Sequence, residues 1–513
     1  MAYFRLTVSL MLRLQCLLRP TVWLYAWLSW QLLGNVLVRQ QSVTLRMLTA
    51  VAVACLAFET VRLLNDKLRR HLCHVLAGYA TVVACAGWLQ AEGRWEDLLP
   101  SNPGVWGAWA GIGFLVVVTQ LNRQQGSKML EGLWGLSLLA LLIASHSRAS
   151  WLGTLAGLLA WLAGGGQLVR IVKGRRWLVL PVLLGGILCG IGLYQFKPDS
   201  AKGRWLIWKA AMPLAQEHPL TGLGADAFRR QYLYAQADYF RQHPGTPEAL
   251  YADNVVYAYN EPFKVLIEQG LIGLLLSVGL FLSCLLRRRQ TSADRLWRSL
   301  LLLWGVYGLF AYPSNVASLY VLFFLLVGAL SDGVTDPVAR PRYVRMAVCL
   351  AAVAVIGWGT VRYLDLRQRL QTETLEKDDH DALKTYPDLY EEYILRCHEH
   401  APESPRTLNV LEEATGYFPG SVLFCYLGDC YRVHGRYEQA EAAYRQARMI
   451  LPCRFLPRYK LFDLYRQEGL EQQAAAEGRA ILQLPVKVEN TLVFRIRGEV
   501  KRYLNSIQQP QQP

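Results

Sequence analysis

Three polar groupings interrupt a strongly hydrophobic chain, and each carries side chains able to do chemistry. The first is Ser145-His146-Ser147-Arg148-Ala149-Ser150-Trp151-Leu152-Gly153. The second is Lys202-Gly203-Arg204-Trp205, followed by His218-Pro219-Leu220-Thr221-Gly222-Leu223-Gly224. The third is Tyr259-Asn260-Glu261, leading into Glu268-Gln269-Gly270-Leu271-Ile272-Gly273. An arginine offers a planar fork of donors that matches phosphate oxygens and keeps its charge at any working pH. Arg148 and Arg204, converging near a membrane surface, are suited to hold a diphosphate whose lipid stays in the bilayer. They would also neutralise the charge that builds as the diphosphate departs. Taken singly, Arg148 fits a snorkelling interfacial residue and Arg204 a solvated loop charge, so their position in the fold decides. No Asp-x-Asp or grouped carboxylates occupy these loops, so no metal is expected. No glycine-rich loop opens a helix from a strand, so a nucleotide site is unsupported and no cofactor is implied.

The elements that must position these groups are membrane helices. The chain has 513 residues, of which 53% are hydrophobic and only 18% charged; its mean hydropathy is +0.17. A soluble domain carries about a quarter charged residues, so a water-soluble enzyme throughout is excluded, as are disordered and fibrous chains. Residues 362–513 hold 21 Lys+Arg and 22 Asp+Glu, whereas the preceding 361 residues hold 33 and 17. The basic excess therefore belongs to the hydrophobic part, which fits cytoplasmic Lys/Arg flanking membrane helices and not a nucleic-acid groove.

Apolar stretches long enough to cross a bilayer lie near 21–38, 46–64, 72–90, 105–121, 128–145, 149–169, 176–195, 263–286, 297–313, 316–330 and 343–361, about eleven helices. Residues 4–18 are a possible extra amphipathic or spanning helix. The first span follows Arg5, Arg13 and Arg19 without a small-residue cleavage site, and reads as a retained anchor. Loop charges orient the bundle. With the N-terminus inside, the inner loops hold Lys67, Arg69, Arg70, Arg123, Lys128, Lys173, Arg175, Arg176, Arg287, Arg288, Arg289, Arg340, Arg342 and Arg345. The short outer loops hold few: Arg39, Arg46, Arg94 and Arg148. This puts the 196–262 loop, the tail and all three polar groupings on the outer, periplasm-like side. Glu59 and Arg62, three residues apart near an inner helix end, read as a local pair or as snorkelling side chains.

From Phe424 the tail reads Leu427-Gly428, Tyr431, Gly435, Tyr437, Ala440, Tyr444, Ala447 and Pro452, the small and aromatic positions of a 34-residue tetratricopeptide repeat. A weaker unit follows with Leu461, Tyr465, Gly469, Ala474 and Pro485, and 386–420 can hold an irregular earlier one. Stacked helix pairs of this kind either bind a protein partner on a concave surface or serve as a structural cap. The eleven cysteines include no metal-ligand grouping. They read as buried thiols, with a disulfide among Cys397, Cys425, Cys430 and Cys453 as the alternative.

The pattern resembles the superfamily of O-antigen ligases, O-antigen polymerases and bacterial O-oligosaccharyltransferases. The residues that carry the resemblance are Ser147-Arg148 with Leu152, Gly203-Arg204 with Trp208, the Pro-Leu-Thr-Gly-Leu-Gly turn at 219–224, and Ser101-Asn102-Pro103-Gly104. The ligase signature is His, then Asn, Ser or Gln, nine residues, Gly, two residues, Gly; here Tyr259, Asn260, Gly270 and Gly273 stand at that spacing. The similarity spans roughly 100–330. It implies a GT-C-like multi-spanning glycosyltransferase, metal-independent and inverting, that uses an undecaprenyl-diphosphate-linked glycan. The tail is similar to repeat-bearing members of the same superfamily. In the ligases the histidine is assigned to activating the acceptor hydroxyl, and tyrosine is a poor base at neutral pH. Either the reaction needs little base, since departure of the diphosphate can run ahead of attack, or another group serves, from His146, His218, Asp253, Glu261 and Glu268; or the chain is an inactive or differently specialised relative.

The expectation is an all-α polytopic bacterial inner-membrane protein. Residues 1–361 form the glycosyltransferase-like domain with its outer loop at 196–262, and 362–513 a periplasmic repeat domain. By resemblance, Arg148 and Arg204 bind the diphosphate, Tyr259 and Asn260 lie near the acceptor, and Glu268 supports the loop. Ser147, Lys202, Gly224, Gly270 and Gly273 complete the substrate site. Membrane lipids surround the protein, and the acceptor is lipid A core, a growing glycan or a protein. The ligase-like reading stands beside a polymerase or a protein O-oligosaccharyltransferase, and beside a membrane-anchored repeat scaffold without catalysis. A transporter would instead place polar groups and broken helices at mid-membrane.

Overall fold

The computed structural model describes residues 19–91, 102–120, 128–165, 198–286, 292–331, 341–486 and 490–508. Among the described residues every regular element is helical. The segments predicted at 4–18 and 176–195 lie outside them, as do Ser101, Arg94, Arg123, Lys173, Arg175, Arg176, Arg287, Arg288, Arg289 and Arg340. The chain divides into two compact units: Met1–Phe196, Pro219–Ala225 and Ala258–Arg362 in one, Lys197–His218, Asp226–Tyr257 and Tyr363–Pro513 in the other.

The first unit contains α1 (Pro20–Leu33), α2 (Leu45–Leu63), α3 (Asp66–Ala91), α4 (Pro103–Gln120), α5 (Lys128–Ala144), α6 (Arg148–Gly164), α9 (Glu261–Leu285), α10 (Ser292–Gly308) and α11 (Ala317–Ser331). It also contains the start of α12 (Arg342–Gln371). Each predicted apolar segment outside 176–195 is thus helical over most of its described length. Lys67–Ala91, Glu261–Leu285 and Arg342–Gln371 are long and apolar enough to cross a membrane, and Pro103–Thr119 and Ala317–Ser331 are shorter apolar helices. The α12 helix leaves Tyr343, Met346, Leu350, Val353 and Trp358 exposed, a face that suits hydrocarbon. Such helices are consistent with a membrane protein.

In lipid, helices gain little by burying apolar surface against each other, so close backbone approach and van der Waals contact hold them together. The contact of α6 with α10 depends on this. A Cβ at Gly153 would stand 2.8 Å from the Leu303 carbonyl oxygen, and one at Gly157 2.8 Å from that of Ser299. Of the two readings of Glu59 and Arg62, the pair is found, and both side chains are buried. Glu59 takes a hydrogen bond of 2.7 Å from the Tyr25 hydroxyl and lies 3.4 Å from Arg62 Nη1. Arg345 joins them, with Nε 3.8 Å from the other Glu59 oxygen.

The second unit contains α7 (Pro198–Glu217), α8 (Ala227–Gln242), a 3-10 turn at Pro247–Tyr251, the end of α12, and α13 (Lys377–Leu383) to α20 (Thr491–Gln508). Its central helices are α16 (Ser421–Val433), α17 (Tyr437–Ile450), α18 (Phe455–Gln467) and α19 (Glu471–Gln483), each packed on the next. Gly428 admits the Tyr444 ring, which a Cβ there would meet at 2.3 Å, and Ala440 and Ala447 are fully buried. The α8 helix docks on α17 through Gln236. This wholly buried amide accepts from the Tyr232 hydroxyl at 2.6 Å and donates to the Ile450 carbonyl at 2.8 Å. Cys397, Cys425, Cys430 and Cys453 are all free thiols, so the alternative of a tail disulfide is not realised.

Candidate active site at a broken helix

The long helix α9 is interrupted at Gly270, whose φ of 67° and ψ of −170° lie in a region that essentially only glycine adopts. Breaking a helix strands backbone donors and acceptors, and in a membrane no water is at hand to take them. Here the 219–225 turn takes them. The N–H groups of Leu223 and Gly224 donate to the carbonyls of Ile267 and Glu268, both at 2.9 Å. In the opposite sense, the N–H groups of Leu271 and Ile272 donate to Pro219 and Leu220 at 2.8 and 3.2 Å. The Gln269 carbonyl accepts from the Trp30 indole at 3.0 Å, and its side-chain oxygen accepts from Trp27 at 2.7 Å.

This interlock admits no side chains at its contact points. A Cβ on Gly270 would stand 2.2 Å from the Leu220 oxygen, and one on Gly222, at φ +72°, 2.5 Å from the Gln269 nitrogen. Arg39 closes the turn from outside. Its Nε donates to the Thr221 carbonyl at 2.9 Å, with Nη2 on the same oxygen and Nη1 on Asn35 at 2.8 Å, and the guanidinium lies over the Trp30 ring. Gln41 Nε2 donates to the Leu223 carbonyl at 3.0 Å. Burial draws the Arg39 guanidinium below its usual range, and the nearby Glu268 carboxylate offsets part of that.

Beside the interlock, three helix N-termini are tied together. Asn260 caps α9, its Oδ1 accepting from Phe263 N–H at 2.9 Å while Nδ2 reaches the Leu309 carbonyl at 3.3 Å. Glu261 accepts from the Ser314 N–H at 2.9 Å and from its hydroxyl at 2.7 Å. Lys264 donates to that same hydroxyl at 3.1 Å and to Asn315 Oδ1 at 2.8 Å. Asn102 caps α4 by accepting from Gly104 N–H at 2.8 Å and donates to the Tyr312 hydroxyl at 2.5 Å. Tyr312 in turn meets the Tyr259 ring edge-on at 5.2 Å. Ser147 caps α6, and the Ser150 hydroxyl lies within reach of Ser147 Oγ at 2.8 Å and the Gly104 carbonyl at 3.0 Å. The N-termini of α4, α6 and α9 each carry partial positive charge and unsatisfied N–H groups, an environment that favours anions.

Several of the predicted residues come together in the first unit. Tyr259 and Asn260 sit at the start of α9, Ser147 and Arg148 at the start of α6, and Glu268, Gly270, Gly273 and Gly224 in the interlock. Tyr259 and His146 each precede a helix cap with positive φ, +52° and +48°, a conformation costly for side chains of their size. Lys202 and Arg204 belong to α7 in the second unit. Being two residues apart they project about 200° from each other around the helix; Lys202 is exposed and reaches Tyr251, while Arg204 is partly buried. Among the proposed bases, Glu261 spends both oxygens on Ser314, and Asp253 pairs with Arg454 at 3.2 Å. Sequence reasoning missed Arg39, Gln41, Trp27, Trp30, Tyr312 and Ser314. Arg39 was visible only as a rare outer-loop charge, and the rest carried no spacing signal. Among the described residues no His, Cys, Asp and Glu side chains gather in a group that could hold a metal ion.

An all-helical, apolar protein with a polar site at helix ends is the class these features define. Residues 133–278 match the protein-family model for O-antigen ligase. That segment runs from α5 through α9 and contains Arg148, Arg204, Tyr259, Asn260, Glu268, Gly270 and Gly273. The match supports a glycosyl-transfer enzyme of the O-antigen ligase and polymerase type, acting in polysaccharide biosynthesis with lipid-linked glycans and polysaccharide acceptors. No curated protein matches the chain.

Proposed function

We propose that the chain transfers a glycan from an undecaprenyl-diphosphate carrier to an acceptor hydroxyl at the outer face of the bacterial inner membrane. The observation that carries this reading is the meeting of three helix N-termini beside a helix break sealed by the 219–225 turn; the break, the turn and two of those N-termini, of α6 and α9, lie inside the segment similar to O-antigen ligases. In the reaction, the acceptor oxygen bonds to the anomeric carbon from the side opposite the diphosphate, with inversion. The carbon–oxygen bond to the diphosphate breaks, and the electron pair leaves with the diphosphate. No metal takes part. Arg148, at the start of α6 with Ser147 beside it, neutralises that charge. Tyr259, presented by the Asn260 cap, lines the acceptor side. Glu268 and the glycines Gly224, Gly270 and Gly273 keep the interlock in shape. Departure of the diphosphate runs ahead of attack, so the acceptor hydroxyl needs little activation; once its oxygen has bonded to the anomeric carbon its proton is lost to water, and the absence of the ligase histidine is tolerated.

The second unit, read as a tetratricopeptide-type array on the periplasmic side, holds the outer-loop helix α8 and has a surface for a protein partner. A broken helix is also a transporter's feature, but here the break is sealed. Carbonyls of Ile267, Glu268 and Gln269 are occupied by the turn and Trp30, so they are not offered to a passing ion.

The test is analysis of surface glycan in lipid and protein fractions from source cells with the gene deleted, then restored as wild type or Arg148→Ala. Loss from one fraction, rescued by wild type alone, names the acceptor and supports the arginine's role. Single-unit glycans in place of long chains would make the enzyme a polymerase. Unchanged glycan in every fraction would overturn the proposal in favour of a scaffold.

A further inference from the structure

We infer that the exposed side of α7 is a saccharide-binding platform centred on Trp205, which takes a pyranose unit of the glycan being transferred. The inference rests on glycan transfer as the reaction. The α7 helix is two-sided: Leu206, Ile207, Ala210, Ala211 and Leu214 are buried, while Lys202, Trp205 and Lys209 follow one another at helical spacing on the open side. Trp205 leaves 63% of its surface exposed, and of the other tryptophans only Trp358, on the apolar face of α12, is comparably open among the described residues.

The polar heads around this indole are held in place. Lys202 Nζ lies 3.1 Å from the Tyr251 hydroxyl and 5.3 Å from the centre of its ring. One turn beyond Trp205, Lys209 Nζ lies 3.3 Å from Glu248 Oε1 and 5.1 Å from the centre of the Tyr239 ring. The 3-10 turn Pro247–Tyr251 is therefore bridged to α7 on either side of Trp205 along the helix. Along the open side of α7 the exposed indole thus stands between two anchored ammonium donors, whose partners on the turn are a carboxylate and a phenol. That set matches a pyranose, whose C–H face stacks on an electron-rich ring while its hydroxyls need both donors and acceptors. A lipid surface suits it less. The Lys209 ammonium is paired with Glu248 at 3.3 Å and Lys202 is turned to Tyr251, so the two lysines are engaged by the 3-10 turn and not directed at anionic headgroups.

The test uses the full chain, expressed in source cells from which the native gene is deleted, carrying Trp205→Ala, Trp205→Phe or Trp205→Leu. Membrane abundance is matched by immunoblot, and an exposed position leaves folding intact. The readout is the amount of glycan transferred per molecule of protein. Loss of one stacking contact lowers transfer about tenfold in Trp205→Ala; Phe restores most of it and Leu does not. Full transfer by Trp205→Ala overturns the platform, and so does equal rescue by Leu and Phe, which marks a lipid or packing contact. In the same experiment, Arg148→Ala and the deletion separate the two claims. If both lose glycan while Trp205→Ala does not, the platform alone fails; if the deletion keeps its glycan, the transfer reading fails and the platform with it.

Discussion

Replacing Gly270 by alanine should open the interlock between α9 and the 219–225 turn, and the size of the effect follows from the geometry. At φ 67° and ψ −170° any residue with a Cβ is strained by about 1–3 kcal/mol. The new methyl would also stand 2.2 Å from the Leu220 oxygen and 2.5 Å from the Thr221 nitrogen, both backbone atoms that no rotamer change can move aside. Relieving the overlap means withdrawing the turn and losing the Leu271–Pro219 and Ile272–Leu220 hydrogen bonds, each about 1 kcal/mol. The sum is about 4 kcal/mol, or roughly three orders of magnitude in the closed-to-open ratio. Hydrogen exchange of the purified full chain reads this ratio at the amides of Leu223, Gly224, Leu271 and Ile272. The matched control is Gly132→Ala, where a Cβ meets nothing within 4 Å. It should leave those amides unchanged and stabilise α5 slightly. If Gly270→Ala protects the four amides as well as Gly132→Ala does, the turn is not what holds the break, and the account of the site is wrong.

Other substitutions probe the remaining contacts. Arg39→Lys should loosen the same turn nearly as much as Arg39→Ala, by about 2 kcal/mol in exchange at Leu223 and Gly224, because an ammonium cannot reproduce the fork on Thr221 and Asn35. Gly157→Leu should lower the melting temperature of the detergent-solubilised protein through overpacking of about 1–3 kcal/mol against the Ser299 backbone, with Gly132→Leu as the tolerated comparison. Burial pushes the Glu499 carboxyl up, but the Tyr459 hydroxyl and Arg466 outweigh it and leave it below its usual 4.5. A carboxyl depressed on folding stabilises above its unfolded value and loses that contribution as pH falls through the folded one. The melting temperature of the helical array should therefore fall on acidification below about pH 4.5, and Glu499→Gln should lower stability at neutral pH and flatten that dependence.

Much of this organisation is legible in the sequence because it depends on local, periodic signals. Runs of apolar residues mark the helices, since a membrane leaves a backbone little choice but to bond within itself. The Gly428, Ala440, Tyr444 and Ala447 spacing marks a tight helix pair, and Asn260 three residues before Phe263 can be read as a cap. The spacing of Asn260, Gly270 and Gly273 singled out the segment where α9 breaks, though not the break. Tertiary structure decided what such signals cannot express. The tip of the outer loop pairs with the break at Gly270, far away in sequence, because stranded peptide groups accept any partner of the right geometry. Arg39, Trp27 and Trp30 matter through contacts more than 180 residues distant, and no period along the chain records such a distance. Lys202 and Arg204, adjacent in one motif, are parted by helical geometry. The α8 helix, written as membrane-domain loop, finds its apolar surface on α17, because burial follows shape in three dimensions and not order along the chain.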